Sequence, residues 1–390
     1  MRLFKESWGI DQLGNLCYIS SGGTPSKGRR DYWTNGTIPW LRSECCKDEV
    51  VFKAEEFITD LGLKSSSAKI FKSETTLIAL VGATIGKTAF LSFDSATNQN
   101  VCGLYPINTE KLHPQFLFYA CQAFYNHYFG GYSGFKMANQ AFIKKLEIPI
   151  PPLQDQIKIA TLFQSIETAS GQVDRQKKEL TTLWIRLIDG IVNDKPSFGN
   201  LLDGKNIRPV CYCEVTDKVM RKIDPISYGI DRIVAGENLG SEDFKIRTWQ
   251  RVGEGYLGPA FHVLFKPGDI LYGSRRTYLK KVALADFEGV CANTTYVIRA
   301  QENLLLQDLL KHIMLSEKFT QYSIGVSKGS TNPYINWKDL DNFTFQIPDL
   351  QTQKEIAKVL DDIVNLIEDL KTQKSILKTL KQNLLNEILG

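Results

Sequence analysis

Three stretches of this 390-residue chain place ligand-holding residue types at spacings that chemistry uses. Leu80-Val81-Gly82-Ala83-Thr84-Ile85-Gly86-Lys87-Thr88 approaches the phosphate-cradling loop GxxxxGK followed by Ser or Thr. It is one residue short. The next segment, Ala89-Phe90-Leu91-Ser92-Phe93, reads as a strand where a phosphate nest needs a helix to open. Gly253-Glu254-Gly255-Tyr256-Leu257-Gly258 satisfies GxGxxG, but Pro259 and strand-like Phe261-His262-Val263-Leu264-Phe265 follow. A glycine-rich turn is expected there, with no helix N-terminus to meet a pyrophosphate. Thr331-Asn332-Pro333-Tyr334 approaches the Asx-Pro-Pro-aromatic motif of adenine methyltransferases but lacks the second proline. No paired carboxylates and no Ser/His/Asp set stand out. The expectation is a chain with no catalytic site of its own.

The chemistry that remains is recognition of an anionic polymer. The net charge of +4, from 47 basic and 43 acidic residues, is too small to establish a nucleic-acid partner. It permits one if the basic side chains cluster, and they do so in turn-rich segments. Lys27, Arg29 and Arg30 follow Ser21-Gly22-Gly23-Thr24-Pro25, and Arg42 follows Ile38-Pro39-Trp40-Leu41. Lys87 ends the incomplete phosphate loop; Arg275 and Arg276 are followed by Tyr278, Lys280 and Lys281. Lys136 and Lys328 lie in loops that precede Asn139 and Asn336. Arginine can grip guanine or phosphate bidentately, whereas lysine mainly neutralises phosphate. The plainer reading of each is solvated surface charge. Asn139 and Asn336 either contact bases or cap short helices; Asp339, three residues after Asn336, favours the cap.

Metal and disulfide chemistry are not expected. Cys45-Cys46 are adjacent and Cys211 and Cys213 are one residue apart, neither being the CxxC spacing of tetrahedral zinc sites. The four histidines, His113, His127, His262 and His312, are isolated. The eight cysteines are read as reduced thiols.

The elements that position these residues come in duplicate. At an offset of 197 residues, Pro151, Leu153, Gln154 and Gln156 fall on Pro348, Leu350, Gln351 and Gln353. Asn139 falls on Asn336 and Ala160 on Ala357. The repeat continues as a heptad. Ile159, Ile166, Val173, Leu180 and Leu187 match Ile356, Ile363, Leu370, Leu377 and Leu384. The interleaved set Phe163, Ser170, Lys177, Trp184 and Ile191 matches Leu360, Ile367, Lys374, Lys381 and Ile388. Alternation by four and three is the seam of a coiled coil. Each helix begins just after a proline and runs about 40 residues, hence roughly 60 Å. The three lysines predict an imperfect seam.

The globular parts repeat more loosely. Leu77-Ile78-Ala79-Leu80-Val81-Gly82 resembles Asp269-Ile270-Leu271-Tyr272-Gly273, and Gly86-Lys87-Thr88-Ala89 resembles Lys280-Lys281-Val282-Ala283. Asn98-Gln99 resembles Asn293-Thr294. Mixed strand and helix signals predict an α+β fold. The predicted order is a domain at 1–150, a helix at 151–194, a domain at 195–347 and a helix at 348–390. Antiparallel pairing of the helices would relate the two mixed α/β domains by an internal pseudo-twofold and hold them apart.

Apolar content of 43% and charged content of 23% are ordinary for a globular protein. No stretch approaches the roughly 18 apolar residues that span a bilayer, so no membrane partner is expected. Met1-Arg2-Leu3-Phe4-Lys5-Glu6 lacks the apolar core of a signal peptide, which predicts a cytoplasmic location.

With these residues in hand, the chain resembles the specificity subunits of Type I restriction-modification systems. The resemblance rests on Gly22-Gly23-Thr24-Pro25-Ser26, Ile38-Pro39-Trp40-Leu41-Arg42-Ser43, Gly268-Asp269-Ile270-Leu271-Tyr272-Gly273 and Gly329-Ser330-Thr331-Asn332. The Pro-x-Leu-Gln-x-Gln helix starts look like the family's conserved regions. The resemblance implies two target-recognition domains, each reading half of a bipartite asymmetric site in double-stranded DNA. It implies helices that set the spacing and dock two methyltransferase subunits. Those partners would bind S-adenosylmethionine, and restriction subunits using ATP and Mg would join them. No cofactor is assigned to this chain. Arg208-Pro209-Val210 and Arg232-Ile233-Val234-Ala235-Gly236-Glu237 open the second domain unlike the first, so different half-sites are expected. The rival readings are a coiled-coil scaffold that does not touch DNA and a stand-alone methyltransferase.

Overall fold

The computed structural model describes residues 8–124, 138–254, 258 and 260–389. Two compact units emerge: Met1–Val173 with Gln373–Gly390, and Asp174–Thr372.

In the first unit the strands are β1 (Gly9–Gln12), β2 (Cys17–Ser21), β3 (Ile38–Leu41), β4 (Glu49–Val51), β5 (Glu56–Ile58), β6 (Ile70–Phe71), β7 (Thr76–Ala79), β8 (Thr88–Leu91), β9 (Ser95–Thr97), β10 (Val101–Pro106) and β11 (Glu147–Ile150). The helices are α1 (Leu13–Leu16), α2 (Asp60–Lys64), α3 (Pro114–Phe124), α4 (Gln140–Lys145) and the first part of α5 (Leu153–Val192). One sheet runs β2-β10-β7-β8-β4, a second β5-β3-β9-β6, and β1 pairs with β11. Every residue of β7 and β8 is buried. Such strands show no inside–outside alternation in sequence. Gly103 sits in the middle of β10, where a Cβ would lie 2.4 Å from the Phe71 ring.

In the second unit the strands are β12 (Arg208–Cys211), β13 (Thr216–Val219), β14 (Arg232–Val234), β15 (Gln250–Arg251), β16 (Phe261–Phe265), β17 (Ile270–Gly273), β18 (Val282–Leu284), β19 (Gly289–Ala292), β20 (Thr295–Ala300) and β21 (Thr344–Ile347). The helices are α6 (Tyr212–Val215), α7 (Pro225–Tyr228), α8 (Gln307–Ile313), α9 (Glu317–Gly325), α10 (Trp337–Leu340) and most of α11 (Leu350–Leu384). The sheets run β13-β20-β17-β18 and β15-β14-β19-β16, and β12 pairs with β21. This is the order of the first unit without a partner for β4. The senses agree as well: β3–β9 and β14–β19 are parallel, while their other neighbours are antiparallel. Strand β14 therefore occupies the position of β3, although no residue is identical at equivalent positions: Ile233 and Val234 stand where β3 has Trp40 and Leu41.

Both long helices serve both units. Ile159, Phe163 and Ile166 of α5 enter the first core with Leu385, Ile388 and Leu389, which form a π turn continuing α11. Trp184, Ile188, Ile191 and Val192 of α5 enter the second core with Ile356, Leu360, Ile363 and Ile367 of α11. The start of each helix thus meets the end of the other, and they run antiparallel. Val173 is buried; Leu180, Leu187, Leu370, Leu377 and Leu384 are half-buried, and Lys374 is exposed. The most buried positions slip by one residue, from the Leu187 register to Ile188 and from the Leu384 register to Leu385. An α-helix of 3.6 residues per turn drifts about 20° per heptad from a 3.5 repeat. After four heptads the drift approaches one residue, so both copies slip at the same place.

All eight cysteines are free thiols, and burial pushes those of Cys17, Cys102 and Cys291 up to about 12. Among the described residues no helix is long and apolar enough to cross a membrane, and no group of His, Cys, Asp or Glu could hold a metal.

Candidate nucleic-acid interface

The loop from Gly22 to Arg30 is fixed from beneath. Gly23 N donates to Thr97 O, and Gly22 N to Val101 O. A Cβ on Gly22 would lie 2.2 Å from Thr97 O, and one on Gly23 would lie 2.3 Å from Ser67 Oγ. Only glycine allows this approach. Trp40 Nε1 donates to Gly23 O and Trp33 Nε1 to Ser26 O, with the two indoles edge to face at 5.0 Å. Thr24 Oγ1 donates to Gln99 Oε1 at 2.5 Å.

Above this platform stand the cations. Lys27 Nζ lies 4.2 Å from the Trp33 ring centre and 5.3 Å from that of Trp40. The Arg42 guanidinium, directly after β3, lies 5.8 Å from the Trp40 ring centre. The structure therefore brings together Lys27 and Arg42, which the sequence separates. Arg29 lies 4.9 Å over the Tyr32 ring and pairs with Asp31, which raises its pKa and lowers that of Asp31. Arg30 is exposed, and among the described residues its side chain has no ion pair. Lys87 is half-buried beside the Gly82–Thr84 turn, directly before strand β8, so the near-phosphate loop has no helix after it. Lys136 lies outside the described residues.

In the second unit two loops are clipped into one cluster. Lys328 and Tyr334 exchange backbone hydrogen bonds of 2.8 and 3.0 Å, closing the loop over Gly329-Ser330-Thr331-Asn332-Pro333. Arg276 N donates to Pro333 O and Ile335 N to Ser274 O, tying this loop to the β17–β18 turn. Arg275 lies over the Tyr334 ring at 5.9 Å. Arg276 and Lys280 flank the Thr277–Leu279 turn in the left-handed region, with φ of 52° and 48°. Such strain persists only where surroundings enforce it, and it gathers at functional sites. Tyr278 stands 52% exposed at the tip.

The remaining lysines are more committed. Burial disfavours the Lys280 ammonium, but Glu317 at 3.0 Å and Glu242 at 3.4 Å hold its pKa above the ordinary value. Lys281 Nζ donates to Gly236 O. Lys328 pairs with Asp339, which also accepts from the Asn336 backbone and amide. Asn139 caps α4 by accepting from Phe142 N. Both asparagines thus have capping roles. Sequence reading missed Arg232, whose guanidinium lies 4.7 and 4.6 Å from the Trp249 and Phe287 rings. It also missed Glu56, which faces both Lys27 and Arg42.

Each unit also holds a polar contact between α3 or α8 and the long helices. In the first, Tyr119 Oη donates to Glu167, which pairs with Lys381. In the second, buried His312 accepts from Trp184 Nε1 at Nδ1, which assigns its proton to Nε2, 2.8 Å from Asp361. Lys311 reaches the same carboxylate.

The duplicated strand order is matched by a duplicated family signature. The model of the Type I restriction modification DNA specificity domain matches residues 5–182 and again residues 231–382. The chain belongs to the Type I restriction-modification DNA specificity family. It is 23% identical over 383 residues to the MjaIX specificity subunit of Methanocaldococcus jannaschii, covering 88% of this chain and 83% of that one. To the MjaVIII specificity subunit of the same organism it is 22% identical, covering 92% and 86%. Its fold matches that of the S subunit from M. genitalium, with a TM-score of 0.60, 13% identity and coverage of 100% and 98%. It also matches a chain solved in work on complex assembly and conformational transition of the type I R-M system, with a TM-score of 0.61, 18% identity and coverage of 98% and 97%. A specificity subunit selects the DNA sequence and is not itself catalytic; catalysis lies in partner subunits. The coiled-coil scaffold without DNA is not favoured for this specificity subunit.

Proposed function

We propose that residues 1–150 and 195–347 are target-recognition domains, each reading one half of a bipartite asymmetric duplex site. The single observation that carries this is one strand order repeated in two units whose loops differ. A shared frame presents unlike side chains, as two readers of unlike half-sites require. In the first domain the contacts centre on Lys27, Arg30 and Arg42 with Trp33 and Trp40; Arg29 and Lys87 are further contacts, and Lys136 is a further contact on its sequence position alone. In the second they centre on Arg275, Arg276, Tyr278 and Lys328; Lys280 serves chiefly to hold the turn. Arginine contacts would read bases or fix register, and lysines would position the backbone.

Helices 151–194 and 348–390 set the spacing and dock two methyltransferase subunits. Exposed Leu183, Leu366, Ile376 and Leu380 on these helices support the docking. S-adenosylmethionine belongs to those partners, and ATP and Mg to restriction subunits that join the assembly in the cytoplasm. The test is methylome mapping of a host with and without this chain, then with residues 1–150 exchanged for another such domain. One half of the methylated sequence should change. A change in both halves, or in neither, overturns the modular reading.

A further inference from the structure

Glu56 sits at the middle of the first basic cluster, an acid among cations. It opens β5, the edge strand of its sheet, directly opposite Trp40 on β3. Its Oε2 faces Lys27 Nζ at 2.9 Å and its Oε1 faces Arg42 Nη2 at 2.5 Å. One carboxylate thus holds both cations, and the same cations lie over the Trp33 and Trp40 rings. Among the described residues neither cation has a second ion pair. The Glu56 side chain is 33% exposed, those of Lys27 and Arg42 53% and 47%.

We propose that Glu56 is a specificity-determining residue: it occupies Lys27 and Arg42 until a correctly seated duplex phosphate replaces it. The inference rests on the reading that this cluster faces DNA. Ion pairs this exposed contribute little to stability, so a phosphate placed between the two cations exchanges with the carboxylate readily. Backbone in any other register brings its charge against Glu56 without capturing the cations. Discrimination then comes from a built-in repulsion as well as from attraction. The indoles keep both cations in place during the exchange, because their hold on them does not depend on the carboxylate.

The test is binding of the full chain to a non-target duplex, followed by fluorescence anisotropy across a salt series. Glu56→Gln should bind roughly three- to tenfold tighter at low salt, with a log–log salt slope steeper by about 0.9, the value for one additional phosphate neutralised. Its melting temperature should match that of the unsubstituted chain. Adding Lys27→Gln and Arg42→Gln to Glu56→Gln should return binding to the starting level or below. Tight binding kept by the triple variant would overturn the proposal, since the gain would then be general charge. If Lys27→Gln with Arg42→Gln weakens binding while Glu56→Gln is neutral, the exchange is wrong and the DNA-facing reading survives. If neither changes binding, both fall.

Discussion

Gln353 repeats, 197 residues along the chain, the three hydrogen bonds of Gln156. Gln156 Oε1 accepts from His113 N at 2.8 Å, and its Nε2 donates to Lys111 O and Pro151 O, both at 2.9 Å. Gln353 Oε1 accepts from Leu306 N at 3.0 Å, and its Nε2 donates to Leu304 O and Pro348 O, both at 2.9 Å. Both side chains are fully buried. Each ties the first turn of a long helix to the loop that enters α3 or α8.

Replacing either glutamine by alanine orphans a part-buried amide hydrogen and two carbonyls, one of them in a buried bond. The expected loss is about 2–3 kcal/mol for each, read from urea denaturation. Glutamate at either position should be no better at neutral pH, because a carboxylate cannot donate to the carbonyls. Equal stability of Gln156→Ala and the unsubstituted chain would show that water replaces the amide.

The slip in the helix seam makes a prediction that the heptad alone would reverse. Ile188→Ala and Leu385→Ala should each cost about 2–4 kcal/mol, since both side chains are buried in a core. Leu187→Ala and Leu384→Ala remove half-buried side chains and should cost less than half as much. Denaturant midpoints of the four variants decide the register; equal losses within a pair would restore the strict heptad.

His312 predicts a pH dependence of stability. Burial is the main cause holding its pKa below the ordinary imidazole value, and the opposing Asp361 does not overcome it. As pH falls, the unfolded chain takes up the proton first. The contribution of His312 is therefore complete above about pH 6.5 and is lost progressively below it. Burial acts against the Asp361 carboxylate, but His312 and Lys311 lower its pKa overall, so its own loss belongs below about pH 4. Urea midpoints between pH 5 and 8 should fall on acidification more steeply for the unsubstituted chain than for His312→Gln. Parallel profiles would remove His312 from the account.

Arg276 sets stability against recognition. Its left-handed backbone suits glycine, so Arg276→Gly should stabilise the fold by about 1 kcal/mol. The same change removes a proposed phosphate or base contact and should weaken DNA binding. A melting temperature that rises while affinity falls is the expected pair of results. A rise in both would place Arg276 outside the interface.

The long helices were legible because their constraint is local and periodic: five apolar positions repeat in one register at +197. Their one-residue slip was hidden, because a heptad count assumes 3.5 residues per turn. The sheets were legible only in fragments. β7 and β17 are buried along their whole length, so period-two alternation gives no signal, and the match of β14 to β3 lies in hydrogen bonding alone. For the candidate site, the clustering of Lys27, Arg29, Arg30, Arg275 and Arg276 could be seen in the chain. Arg232 was legible only as part of a differing segment, not as a contact, because the Trp249 and Phe287 rings beside it are distant in sequence. Glu56 drew none because an acidic residue becomes part of a basic cluster only once β5 is laid beside β3.

The first core is completed by Leu385, Ile388 and Leu389, residues that a ribosome adds only after the whole of the second unit. During synthesis the second unit lacks none of its own segments once Thr372 has emerged, whereas the first must wait. The usual order of maturation, earlier segments first, is thus inverted for the last step. Until then that core, which includes Ile159, Phe163 and Ile166, is short of three apolar side chains, and the gap is where a chaperone or an aggregating neighbour would find the nascent chain.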